Sequence, residues 1–126
     1  MTLFFNAAAL LSAALMAGAY WLGIQEGYLF TYQYIYDIPL HLLGGLSAGL
    51  WAMAFASRLS LSLRQALVLV AAVILPVSIS WEVMEYVTGL TRGEPYYWFD
   101  TGKDIIDGVL GATAGWGVYA LLKRKA

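Results

Sequence analysis

The chain has 126 residues, 61% of them hydrophobic and only 12% charged, with seven basic and eight acidic side chains and a formal net charge of -1. A water-soluble domain carries about 25% charged residues, so this chain cannot coat itself in water, and with no cysteine and no basic excess it is neither a disulfide scaffold nor a nucleic-acid binder. So apolar a composition also excludes intrinsic disorder and leaves an integral membrane protein.

Four stretches reach the roughly 20 apolar residues needed to cross a bilayer as helix. The first, Leu3 to Ile24, is a retained helix and not a signal peptide, because it lacks a basic leading segment and carries Tyr20 and Trp21 where small cleavage-site residues belong. The second runs from Tyr36 to Ala56. The third runs from Gln65 to Val87, with Pro76 as a tolerated kink. The fourth runs from Lys103 to Leu122. Only Ser57 to Arg64 separates the second from the third, which makes sequential helices antiparallel neighbours. The expected fold is all-α, a polytopic four-helix bundle in which residues 1–126 form a single transmembrane domain.

Four crossings place both termini and the second connection on one side. Arg58, Arg64, Lys123, Arg124 and Lys125 fall there, against Arg92 and Lys103 on the other. The positive-inside rule therefore puts both termini in the cytoplasm and, for a bacterial chain, the protein in the inner membrane. Tyr20, Trp21, Tyr28, Tyr32, Tyr34, Tyr36, Tyr96, Tyr97 and Trp98 gather at the opposite interface as an aromatic belt.

All eight acids lie on the outer half: Glu26, Asp37, Glu82, Glu85, Glu94, Asp100, Asp104 and Asp107. Loop acids follow from topology alone. Acids within spans do not, because a charge at a helix centre costs about 2.5 to 3.5 kcal/mol on insertion scales. Asp37 with His41 (i, i+4), Glu82 with Glu85 (i, i+3) and Asp104 with Asp107 (i, i+3) each share one helix face at a similar depth. Gly44, Gly45, Ala48 and Gly49 continue the first of these faces, and Gly108, Gly111 and Gly115 the last, so the helices can approach closely.

Four carboxylates at one point need a cation or protons to balance them. His41, Glu82, Glu85, Asp104 and Asp107 are the expected ligands of a divalent metal, Mg if oxygen alone binds and Mn or Zn if His41 takes part. His41, Glu82, Glu85 and Asp104 are also the candidate catalytic acids and bases. Asp37 would orient His41, Asp100 would contact or orient substrate, and Arg92 and Lys103 would contact phosphate or act as counter-ions of the cluster. Plainer roles compete with these. Asp37, ahead of Pro39, suits a helix N-cap, and Thr101 with Asp104 suits a capping arrangement at the start of the fourth helix.

The order D-x3-H-x2-G at Asp37, His41 and Gly44, W-E-x2-E at Trp81, Glu82 and Glu85, and D-x3-D-x2-D-G-x2-G-A from Asp100 through Asp104 and Asp107 to Ala112 resembles the VanZ-like superfamily and related small bacterial inner-membrane proteins. The resemblance spans roughly residues 36 to 118. It implies a polytopic membrane protein of the cell envelope, linked in some members to teicoplanin resistance, with no settled activity.

Together these readings favour metal-dependent hydrolysis or transfer at the phosphate headgroup of an envelope lipid, with membrane lipid as partner, no nucleic acid, and a homo-oligomer left open. Two other classes compete. A proton or cation transporter would also use membrane carboxylates, although the inner half of each span offers no charge. A non-catalytic subunit would use the acidic mouth to bind another protein.

Overall fold

A computed structural model describes residues 1–27, 33–89, 91 and 95–124. Among these, four helices account for nearly all of the chain: α1 (Thr2–Gln25), α2 (Gln33–Arg58), α3 (Leu63–Thr88) and α4 (Tyr97–Lys123). Each is long and apolar enough to cross a membrane. Their ends have local causes. Ser62 accepts from the Gln65 backbone N–H while the Gln65 side chain accepts from the Ser62 N–H, a reciprocal cap that starts α3. Gly89 ends the same helix at φ +85°, a left-handed conformation that glycine adopts without steric cost.

Two starts differ from the sequence expectation. Helix α4 begins at Tyr97 and not near Lys103. Thr101 and Asp104 therefore lie inside the helix, and neither caps it. Helix α2 begins at Gln33, so Asp37 stands in its second turn and Pro39 is internal; Asp37 is not an N-cap. Hydropathy underestimates both helices because their first turns carry polar and aromatic residues.

Helix α2 is the centre of the bundle, packing on α1, α3 and α4, while α3 also packs on α4. No Cα of α1 comes within 8 Å of one in α3 or α4. The α2–α4 contact is backbone against backbone. A Cβ added at Gly45 would sit 2.0 Å from the Gly108 carbonyl oxygen, and one at Gly111 would sit 2.1 Å from that of Leu42. Only glycine permits this approach, the usual means by which membrane helices gain dispersion contact without a hydrophobic driving force. It is also what brings Asp104 on α4 alongside Asp37 and His41 on α2.

Side chain to backbone hydrogen bonds fix the remaining pairs. The Ser12 hydroxyl donates to the Leu43 carbonyl at 2.9 Å, Ser47 to Ala9 at 3.0 Å and Tyr36 to Ala19 at 2.6 Å, tying α1 to α2. At the other end of the bundle, Tyr119 donates to the Leu61 carbonyl at 2.9 Å and Trp116 to that of Leu63 at 3.0 Å, with Lys123 also on Leu61. These bonds satisfy carbonyls at the α2–α3 connection.

Polarity is inverted relative to a soluble protein. Large apolar side chains such as Leu3, Val68, Val87 and Leu121 face outward, while Asp37, Glu82, Asp100 and Asp104 are buried. An apolar exterior around buried acids is the arrangement a lipid solvent selects.

Candidate functional site

The buried acids occupy one end of the bundle, here called the acidic end. Helix α2 supplies Asp37 and His41 from successive turns; α3 supplies Glu82 and Glu85; α4 supplies Asp100, Lys103, Asp104 and Asp107. The last four share a face because α4 is already helical at Tyr97.

His41 stands between two carboxylate sets. Its Nε2 lies 3.2 Å from Asp37 Oδ1 and 3.8 Å from Asp104 Oδ2. Ligand atoms of Asp37, His41 and Asp104 all fall within 4.8 Å of one another, and so do ligand atoms of His41, Glu82 and Glu85. Both triplets suit a divalent ion in spacing and in donor type, a nitrogen with two carboxylate oxygens.

The first set already contains a cation. Lys103 Nζ contacts Asp104 directly and lies 3.4 Å from Asp37, 3.6 Å from Asp107 and 3.9 Å from Asp100. One ammonium thus serves four aspartates. The second set has no such partner: among the described residues no lysine or arginine pairs with Glu82 or Glu85. Glu82 is only 5% exposed. Thr101 of α4 faces its carboxylate, yet Oε1 is buried without a hydrogen-bond partner. A buried carboxylate oxygen in that state carries its full desolvation penalty.

The three pairs expected from the sequence, five acids and His41, lie together at this end, and Asp100 joins them from the first turn of α4. The expectation does not sort them. Asp107, expected as a metal ligand, lies in neither triplet and belongs to the lysine set, as does Asp100. Lys103 stands as counter-ion at the centre of the aspartates. Arg92, Glu94, Tyr28, Tyr32 and Lys125 lie outside the described residues.

Sequence reasoning missed Trp81 as part of the site. Its ring meets His41 edge-on at 6.5 Å between centroids and Tyr20 of α1 at 5.8 Å. The signal was present: Trp81 precedes Glu82 and lies one turn from Glu85, so it shares their end of α3. Beneath this aromatic pair is a cavity of about 650 Å³, lined at the acidic end by Tyr20, Asp37, His41, Trp81 and Glu85. His41 and Glu85 thus face open space.

Comparison with known proteins gives one match. A family model described as Predicted membrane protein (DUF2238) covers residues 3–125. No curated protein and no solved structure matches the chain.

Proposed function

Because the chain belongs to this family of predicted membrane proteins, we propose that its acidic end binds one divalent cation through His41, Glu82 and Glu85 and uses it at the phosphate headgroup of a membrane lipid. The observation that carries the reading is the buried Glu82 oxygen without a hydrogen bond, in a triplet that no lysine or arginine among the described residues joins. A divalent ion removes both defects at once. It neutralises two carboxylates, and it gives the orphaned oxygen a partner.

His41 suits the position. One ring nitrogen is engaged with Asp37, which leaves the other for the ion. A carboxylate behind a metal-ligating imidazole fixes its tautomer and raises its basicity. Three protein ligands keep at least one coordination position for a substrate oxygen or water, the pattern of catalytic rather than structural sites. The cavity beside His41 and Glu85 is where that position would open. Water activated by the ion or by Glu85 is the nucleophile in this reading, giving hydrolysis or transfer at phosphorus. Lys103 takes the place of a second ion in the aspartate set.

The basic residues Arg58, Arg64, Lys123 and Arg124 sit at the opposite end, which supports an acidic end facing outward across the bacterial inner membrane. The narrower affinity with VanZ-like proteins rests on the motif order around these same residues.

Metal analysis of detergent-purified protein equilibrated with Mn or Zn tests the reading. One ion per chain is expected, lost in Glu82→Gln and Glu85→Gln and kept in Asp107→Asn. A wild-type protein that takes up no stoichiometric ion, while remaining folded, would sink it.

A further inference from the structure

The cavity below His41 continues along most of the bundle. From its acidic end it passes Ala48, Trp51 and Phe55 on α2 and Val77, Val73 and Leu69 on α3. Helix α1 contributes Ala13 and Met16 on the facing side. On the α2 floor Gly44, Gly45 and Ala48 have little or no side chain. Apart from two serines, every wall below His41 is apolar.

The cavity is a slot and not a closed chamber. Helices α1 and α3 both lean on α2 but have no Cα approach within 8 Å. The edge-on contact of Tyr20 with Trp81 bridges them at the acidic end. Further along, Trp51 and Phe55 are each 54% exposed. The slot therefore opens sideways, at a depth where a helix of this length and hydropathy is surrounded by lipid chains.

We propose that this slot holds one hydrocarbon chain of a membrane lipid, drawn in sideways from the bilayer, with the lipid's polar head at the His41–Glu85 end. The proposal rests on the reading of the acidic end as a headgroup site and names its substrate class: a lipid whose phosphate meets the ion and whose chain lies between α1 and α3. Two features select this occupant over a protein helix. The polar groups cluster at one end and the rest is apolar, which matches an amphiphile with a single head. The slot also runs from those polar groups to Phe55 and Leu69 and opens sideways at Trp51 and Phe55, so a chain can enter from the bilayer while its head stays at the acidic end. From His41 to Phe55 the helix rises about 21 Å, beyond the midplane of a hydrocarbon core roughly 30 Å thick. The occupant's chain is therefore long, reaching past the middle of the bilayer.

Native mass spectrometry of the full chain in detergent, with dioctanoyl or dipalmitoyl phosphatidic acid added, tests this. The palmitoyl lipid should be retained more than the octanoyl one. Ala48→Phe and Val77→Phe, which fill the slot from two different helices, should each lower palmitoyl retention roughly fivefold, the low end of the cost of overpacking. Val68→Phe, on an outward face that does not line the slot, should leave retention unchanged. Equal retention in all three variants, or no dependence on chain length, would overturn the proposal. So would a slot filled by a second copy, seen as a dimer that Ala48→Phe dissociates. Two slot variants guard against one failing to fold. Metal stoichiometry of Ala48→Phe should stay at the wild-type value, so loss of the slot and loss of the ion site are read separately.

Discussion

The two carboxylate sets on either side of His41 differ in one respect that sets their chemistry. The aspartate set, on α2 and α4, encloses an ammonium supplied by the chain itself. Among the described residues no lysine or arginine joins the glutamate pair on α3, and Glu82 Oε1 is buried without a hydrogen bond. Asp107 Oδ2 is also buried without a hydrogen bond, but it lies 3.6 Å from the Lys103 ammonium, whereas among the described residues no lysine or arginine stands beside Glu82 Oε1. A complete ion pair in a low-dielectric surrounding is a structural element whose parts cannot be removed singly. An incomplete one is a demand for a ligand. On the proposed reading the aspartates belong to the fold and the glutamates hold the ion, with His41 shared.

The largest effect should come from removing the internal cation. Lys103→Met leaves Asp37, Asp100, Asp104 and Asp107 without their ammonium, and breaking a buried pair from one side costs about 3–5 kcal/mol. Thermal unfolding in detergent with chelator present should show a loss on that scale. Added Mn or Zn should restore much of it, because the carboxylates of Asp37, Asp104 and Asp107 are then free for an ion, and stoichiometry should rise from one ion to two. An unchanged stability would mean that Lys103 is not the cation of the set, and the contrast would collapse.

A smaller loss is expected where the backbones of α2 and α4 touch. Gly111→Ala places a Cβ within 2.1 Å of the Leu42 carbonyl oxygen, and overpacking of that kind costs about 1–3 kcal/mol. It separates the helices that carry Asp37 and Asp104 but not α2 from α3, where His41, Glu82 and Glu85 reside. The variant should therefore lose stability while retaining its single ion. Loss of the ion together with stability would show that the two sets are one site.

Much of this was readable from the chain, for physical reasons that differ by residue. The four helices are legible because hydropathy over twenty residues is a strong signal, and the pairing of Asp37 with His41 because helical spacing fixes a shared face. The sequence offered Lys103 as counter-ion or phosphate contact, with no means of choosing between them. Hydropathy placed it at the edge of a span, and only the earlier start of α4 at Tyr97 turns Asp100, Lys103, Asp104 and Asp107 into one helical face. The division of acids into two sets was hidden as well, since depth and spacing are alike for all of them. It depends on which helix α4 approaches, and that is decided by Gly45, Gly108 and Gly111, whose closeness to one another is tertiary. The slot escaped notice because it is defined by a contact that α1 and α3 do not make.

The smallest expected effect is the most discriminating. Glu82→Gln removes a buried charge that has no counter-ion, so in chelator the variant should be as stable as wild type to within about 1 kcal/mol, since exchanging uncompensated buried charge for a neutral group of similar shape is often neutral or favourable. Asp104→Asn, with Asp104 only 2% exposed and in direct contact with Lys103, should be clearly destabilised under the same conditions. Adding ion should then separate wild type from Glu82→Gln in the other direction. A ligand bound only by the folded state stabilises it by about 2.7 kcal/mol at a hundred times its dissociation constant, and only the wild type should gain. Two carboxylates at similar depth, isosteric substitutions in both, and opposite responses to chelator would establish that one belongs to the fold and the other to a ligand. Equal destabilisation in chelator would return Glu82 to the structural set.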